Sequence, residues 1–298
     1  MTTLVLGALA VLLAGPVPSL MARWHVLRRT PRAAMLLWQS VALGAVLAAV
    51  GAGLSLVTDH AWRQEPSVFG FVVAGVALTL TVIVVGRLLL SGHQVGTTLR
   101  ALRRRHRRQL DLLSYDGPGA RVLEHDVPVA YCVPGMNGAR VVVSAGALDR
   151  LETGEVEAVL AHERAHLRAR HDLVLEAFSV LHRAFPRWVS SEAALAEVQL
   201  LAEVLADRAA ARVSGAMPLA RALVALAEGR APAAALGASG VAVGGSSAAS
   251  GSSLVTRVTL LRDVGEHRFQ ATLLVVAASG VLALPTAFVV VPWFNSLA

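Results

Sequence analysis

His162-Glu163-Arg164-Ala165-His166 reads H-E-x-x-H, and this spacing decides what must surround it. On a helix, residues four apart differ by about 40° of rotation and about 6 Å of rise. Both imidazoles therefore face one way and can reach a single Zn²⁺. Glu163 follows the first of them, where a base toward an attacking water is needed. The flanking residues support a helix. Thr153 is the expected N-cap, and Glu155 and Glu157 suit the positive end of the helix dipole. Val156, Val159 and Leu160 form an apolar stripe, with Arg164, Arg168 and Arg170 on the outer side.

Two histidines leave a zinc site short of one protein ligand, with a fourth position open. Asp172 lies ten residues after His162, where one class of zinc peptidase places its third ligand. That arrangement needs a helix break, and Ala169 is a strong helix former. On an unbroken helix Asp172 sits about 15 Å along the axis from His162, and His171 points to the opposite face. A second helix is expected over about Ser191 to Val213, rich in Ala, Leu and Glu. There Glu203 and Asp207 share a face. Glu203 is the leading third ligand, and Asp207 is placed to accept a hydrogen bond from a ligand histidine. Glu192 and Glu197 are alternatives on the same helix, and pairing of Glu203 with Arg208 or Arg212 is the reading without a metal.

A-V-L-A-H-E-R-A-H-L-R-A-R-H-D (158–172), L-H-R-A-F-P (181–186) and E-V-L-A-D (203–207) together resemble the M56 family of membrane metallopeptidases, the BlaR1/MecR1-like proteases. They are similar, less closely, to the M48 family of HtpX-like and CAAX-processing proteases. Both families combine H-E-x-x-H with a Glu in an E-x-x-x-D helix. The resemblance implies a Zn²⁺ cofactor held by His162, His166 and Glu203, with Glu163 as general base and Asp207 in support. It also implies a zincin-like fold of the gluzincin type and a cytoplasmic protein substrate, in M56 form a BlaI-type transcriptional repressor. The antibiotic sensors carry a large ligand-binding domain after their last span. This sequence ends at Ala298, so β-lactam detection is not expected. An HtpX-like quality-control or processing protease is the alternative. A non-catalytic signalling protein with structural zinc is a third reading, against which Glu163 argues, since a structural site needs no base.

Composition places the chain in a membrane. Of 298 residues, 55% are hydrophobic, and the mean hydropathy is +0.60, more apolar than a soluble domain of this size. Four charge-free runs cause this, at Leu4–Met21, Ala33–Val57, Val68–Gly86 and Ala271–Trp293. Each is long enough to cross a hydrocarbon core about 30 Å thick. Arginines set the expected orientation. Ala22–Arg32 carries Arg23, Arg28, Arg29 and Arg32, and Arg87 to Arg108 holds seven more, whereas Thr58–Pro66 has only Arg63. The basic segments belong on the cytoplasmic side. Both termini are then outside and the H-E-x-x-H region is inside. Trp24, Trp62 and Trp293 are expected interfacial anchors.

The net charge of +7 needs no nucleic acid, because a basic cluster near a span meets anionic lipid. Every basic residue is Arg, which with the Ala content suggests a GC-rich bacterial genome. The single Cys132 excludes an internal disulfide, suits a reducing cytoplasm and reads as an inert strand residue.

The expected architecture is a mostly α membrane protein. Three transmembrane helices occupy residues 1–91, a cytoplasmic α+β metallopeptidase domain 92–268, and a fourth transmembrane helix with a short outer tail 269–298. Within the domain, Arg100–Leu113 continues the third span as a basic helix. Val127–Val133 and Ala139–Ser144 form a hairpin through Asn137-Gly138. The resemblance implies that such a strand borders the cleft, so that its free edge, near Tyr131, pairs with extended substrate; plain scaffold is the alternative. Gly229–Ser253 reads as a flexible Ala/Gly/Ser loop, and Leu254–Val264 as a short amphipathic helix. Tyr131, His171 and His182 stay open as oxyanion stabilisers.

Overall fold

A computed structural model describes residues 2–60, 67–135, 138–186, 192–228, 247–263, 265 and 267–295, with backbone alone for 247–252 and 292–295. In chain order the elements are α1 (Thr2–Ala14), α2 (Pro16–Arg23), a short 3-10 helix (His25–Arg29), α3 (Pro31–Thr58) and α4 (Val68–Leu113). Four strands follow, β1 (Ser114–Gly117), β2 (Ala120–Leu123), β3 (Ala130–Val133) and β4 (Arg140–Ser144). Then come α5 (Ala145–Arg150), α6 (Thr153–Ala169), α7 (His171–Ala184), α8 (Glu192–Ser214), α9 (Ala216–Glu228), α10 (Ser247–Arg262) and α11 (Arg268–Asn295). The chain forms two compact units, Met1–Gln94 with Ala177–Val198 and His267–Ala298, and Val95–Glu176 with Gln199–Glu266. Trp62 and Asn137, both assigned roles from the sequence, lie outside the described residues.

The first unit holds the apolar helices. Four stretches are long and apolar enough to cross a membrane, namely Thr2–Arg23, Pro31–Thr58, Val68–Leu113 and Arg268–Val291. The first is broken rather than continuous. Pro16 has no N–H to bond back, so α1 stops and α2 restarts with Pro16 in its first turn. Gly15 N still donates to Val11 O at 3.1 Å across the junction. On α3, Gly51 admits α11 closely, since a Cβ there would lie 2.6 Å from Val289 Cγ2. The far half of α7 and the start of α8 belong to this unit. Phe178, Leu181, His182, Phe185, Ala194 and Leu195 line an apolar cavity of about 430 Å³ together with residues of α1, α2, α3 and α4. Arg87 Nε donates to Ala184 O at 2.7 Å, and Ser91 Oγ to Val180 O at 2.9 Å. Ala177–Val198 thus groups with the spans, although it falls inside the range 92–268 expected for the peptidase domain.

The second unit is built on a four-stranded sheet of order β1-β2-β4-β3. β1/β2 and β3/β4 pair antiparallel, and β2/β4 parallel. The expected hairpin is β3/β4. β1 and β2 were not expected, because they are four residues each and Ser114-Tyr115-Asp116-Gly117 shows no apolar alternation. Their turn carries a signal all the same: Gly119, after Pro118, has φ +78°, the value a tight turn after proline requires.

α6 packs on one face of this sheet. Val159 meets Val122 and Val143, with Val156 and Ala130 partly buried beside them. Ala158 faces Ala210, Leu219 and Leu261 of α8, α9 and α10. The N-cap of α6 is Glu152 rather than Thr153. Glu152 N donates to Glu155 Oε2 at 3.0 Å, the reciprocal half of a capping box that Thr153 lacks.

Two further expectations change. α6 is not continuous with the helix after it. Arg170 takes a left-handed conformation, φ 52°, and α7 starts at His171. Of the expected loop Gly229–Ser253, residues 229–246 lie outside the described residues, while 247–253 are helical and belong to α10. The packed second half of α10 has already met the cost of nucleation, so small residues before it extend the helix at little expense.

Candidate metal centre

α6 and α8 bring three side chains to one point. His162 Nε2 and His166 Nε2 lie 3.1 Å apart. Glu203 places Oε2 at 3.6 Å from the first and Oε1 at 3.5 Å from the second. Ligands held tetrahedrally at 2.0–2.1 Å from zinc are about 3.3 Å from one another. With one ligand atom taken from each residue, all three lie within 4.8 Å of one another, so these side chains form a group able to hold a metal ion. The donor set, two imidazoles and a carboxylate, suits zinc and leaves a fourth position for water.

The surroundings favour a cation. Asp207, only 1% exposed, brings Oδ1 to 2.9 Å from His162 Nδ1. Burial opposes ionisation of Asp207 and Glu203, but Arg257 and His162 outweigh it, and both carboxyls are held below the usual carboxylate range. Burial disfavours charge on His162 as well, yet the Asp207 and Glu203 carboxylates raise its pKa to about 10. The field that holds a proton there also holds a divalent ion, which displaces that proton on binding. Burial moves the Glu163 carboxyl upward, in the direction a general base near neutral pH needs. Burial lowers His166 and His171 to about 4.

The sequence reading missed Arg257. It is 6% exposed on α10. Its Nε donates to Asp207 Oδ2 at 2.7 Å, its Nη2 to Asp207 Oδ1 at 2.7 Å, and its Nη1 reaches Glu203 Oε2 at 2.9 Å. The guanidinium thus clasps both acidic residues of the E-x-x-x-D pair, in place of the Arg208 or Arg212 considered from sequence. A signal existed. Leu254, Arg257, Val258 and Leu261 fall on one helical stripe, so an arginine occupies a core-facing position.

Other residues fall differently from expectation. His171 does not point away. The αL turn at Arg170 swings it back, so that its Nδ1 lies 3.0 Å from His166 Nδ1. Asp172 stands 3.7 Å from Arg103 Nη1 and 3.5 Å from Arg170 Nε, apart from the three-residue group. Glu192 and Glu197 belong to the first unit, where Arg28 Nε donates to Glu197 Oε2 at 3.1 Å. His182 also belongs to the first unit, in the wall of the apolar cavity. Tyr131 lies on β3, an edge strand, but its side chain packs with Leu110, Val133 and Val142 and meets His106 Nε2 at 3.1 Å. Burial pushes the Tyr131 phenol up to about 12. Since strand side chains alternate, Cys132 is the residue turned toward α6, where its thiol and the Glu163 carboxyl bear on each other's ionisation. Burial and the Glu163 charge push the Cys132 thiol up, which keeps it protonated and unreactive.

These placements separate the rival third ligands. Glu203→Ala is expected to lose bound zinc, and Asp172→Ala to keep one ion per chain, measured by metal analysis of the purified protein. Zinc lost from Asp172→Ala but kept by Glu203→Ala would reverse the assignment.

The model for Peptidase family M48 matches residues 98–264. That is the second of the two resemblances read from the sequence; the match lends no support to M56. No curated protein and no solved structure matches the chain significantly.

Proposed function

The chain belongs to Peptidase family M48, and from that membership and the site geometry we propose that it is an integral-membrane zinc endopeptidase of the HtpX-like quality-control or processing kind. The observation that carries the proposal is the convergence of His162, His166 and Glu203 beside the half-buried carboxylate of Glu163. The M48 match favours this reading over cleavage of a BlaI-type repressor, which rested on the M56 resemblance.

Zn²⁺ held by His162, His166 and Glu203 would polarise the scissile carbonyl and make water more acidic. Glu163 accepts the proton of the attacking water and later delivers it to the leaving amine. Asp207 Oδ1, 2.9 Å from His162 Nδ1, favours the imidazole proton on that nitrogen, which leaves Nε2 free to ligate, and Arg257 holds Asp207 and Glu203 in place. The outer edge of β3 offers main-chain groups to an extended segment of substrate. Such pairing needs an unfolded or loosely folded stretch, which is what damaged or unassembled proteins present. The arginine asymmetry of the linkers supports a site on the cytoplasmic side.

Two experiments test the proposal. Purified protein in detergent, supplied with Zn²⁺, is expected to cut casein at several sites and to leave a folded BlaI-type repressor intact. Cleavage of the repressor at one bond, with casein untouched, would restore the regulatory reading. For orientation, a reporter active only outside the cytoplasm is expected to be silent when fused at Gly237 and active at the C-terminus. The reverse pattern would put the site on the outer face.

A further inference from the structure

The two histidines at the centre are held differently on their outer nitrogens. His162 has a carboxylate, Asp207 Oδ1, at 2.9 Å from its Nδ1. His166 has another imidazole, His171, with the two Nδ1 atoms 3.0 Å apart and the rings at 86° to each other. His171 is 5% exposed, although it opens a helix. It reaches this position because Arg170 adopts φ 52°, the one non-glycine residue at positive φ among the described residues. L-residues avoid that region, so the fold holds an unfavourable turn, and its effect is to set His171 against a residue five positions back.

Resting on the zinc reading above, we infer that His171 is a positioning residue. Its Nδ1 accepts the Nδ1–H of His166, and this fixes the tautomer and ring plane that turn His166 Nε2 toward the ion. Proton accounting leads to this assignment. A neutral imidazole has one donor and one acceptor nitrogen. For His166 Nε2 to ligate, its single proton must sit on Nδ1. The 3.0 Å contact then requires an unprotonated Nδ1 on His171, whose own proton goes to Nε2. The opposite assignment would put a proton on His166 Nε2, aimed at His162 Nε2 only 3.1 Å away, and would close the ligand position. Groups on the far nitrogen of a ligand histidine orient it and change metal affinity about 10–100-fold when removed. Asp207 does this for one histidine, and His171 does it for the other.

The test uses the full chain in detergent micelles. His171→Leu keeps bulk but removes the acceptor. His171→Asn returns an acceptor oxygen close to where Nδ1 stood. Zn²⁺ affinity is measured by competition with a chromophoric chelator, and geometry by the visible absorption of the Co²⁺-loaded protein. The expected result is zinc binding about 10–100-fold weaker in His171→Leu, with a shifted Co²⁺ spectrum. His171→Asn should recover both to within a few-fold of wild type. Wild-type affinity and spectrum in His171→Leu would overturn the inference. So would equal losses in the Leu and Asn variants, which would make the side chain a matter of packing. Should His171→Leu fail to fold by circular dichroism, His171→Ala takes its place in the same comparison. A wild-type chain that binds no zinc would instead overturn the metal reading itself.

Discussion

Glu163→Gln is expected to keep its zinc and its fold while cleaving casein at least about 10²–10⁴ times more slowly, the usual contribution of a positioned general base. The substitution preserves size. The introduced amide occupies the same space beside Cys132, so the contact between α6 and β3 survives. What is lost is the ability to take a proton. None of the three candidate ligands is touched. Zinc content and cleavage rate, measured on the same preparation, separate the two roles. A Glu163→Gln chain that loses zinc would show that Glu163 helps to hold the ion. One that cleaves at the wild-type rate would show that the base lies elsewhere.

Arg257→Ala carries the second large effect. Removing one partner of a buried charge pair leaves the other uncompensated, at a cost of about 3–5 kcal/mol. Asp207 is nearly inaccessible, and Arg257 is the arginine that bonds both of its carboxylate oxygens, so water cannot replace the lost guanidinium. Thermal unfolding in detergent should therefore shift clearly downward, and zinc should bind more weakly because Glu203 and Asp207 are no longer fixed. Arg257→Lys keeps the charge but cannot make the two parallel bonds, and its loss should fall between those of wild type and the Ala variant. An Arg257→Ala protein with unchanged unfolding and zinc affinity would mean that the clasp on Asp207 adds nothing to the site.

What the sequence made legible was local. H-E-x-x-H and E-x-x-x-D are i,i+4 pairs, so their shared faces follow from helix geometry alone. The apolar stretches announce membrane helices by length. Features that depend on tertiary packing are not readable in this way. Arg257 lies 50 residues after Asp207, and no local period connects them. The break at Arg170 has no glycine or proline to mark it, and on a helix without that break His171 faces away from the ligands. β3 is legible as a strand, but its two faces are distinguished only by their neighbours. Leu110 and His106 of α4 claim Tyr131, and α6 claims Cys132. The run Leu4–Met21 contains Pro16, yet its uniform apolarity hides the bend at Gly15. The choice between M56 and M48 rested on motifs common to both families, and only the match over 98–264 separated them.

The most direct test is X-ray absorption at the zinc edge of the purified Glu163→Gln chain, which should hold its metal without self-cleavage. The expected first shell is four nitrogen or oxygen atoms at about 2.0–2.1 Å, with the outer scattering of two imidazoles and no sulfur. A sulfur neighbour at about 2.3 Å, which only Cys132 or a methionine could supply, or the signature of a single imidazole, would contradict the site formed by His162, His166 and Glu203.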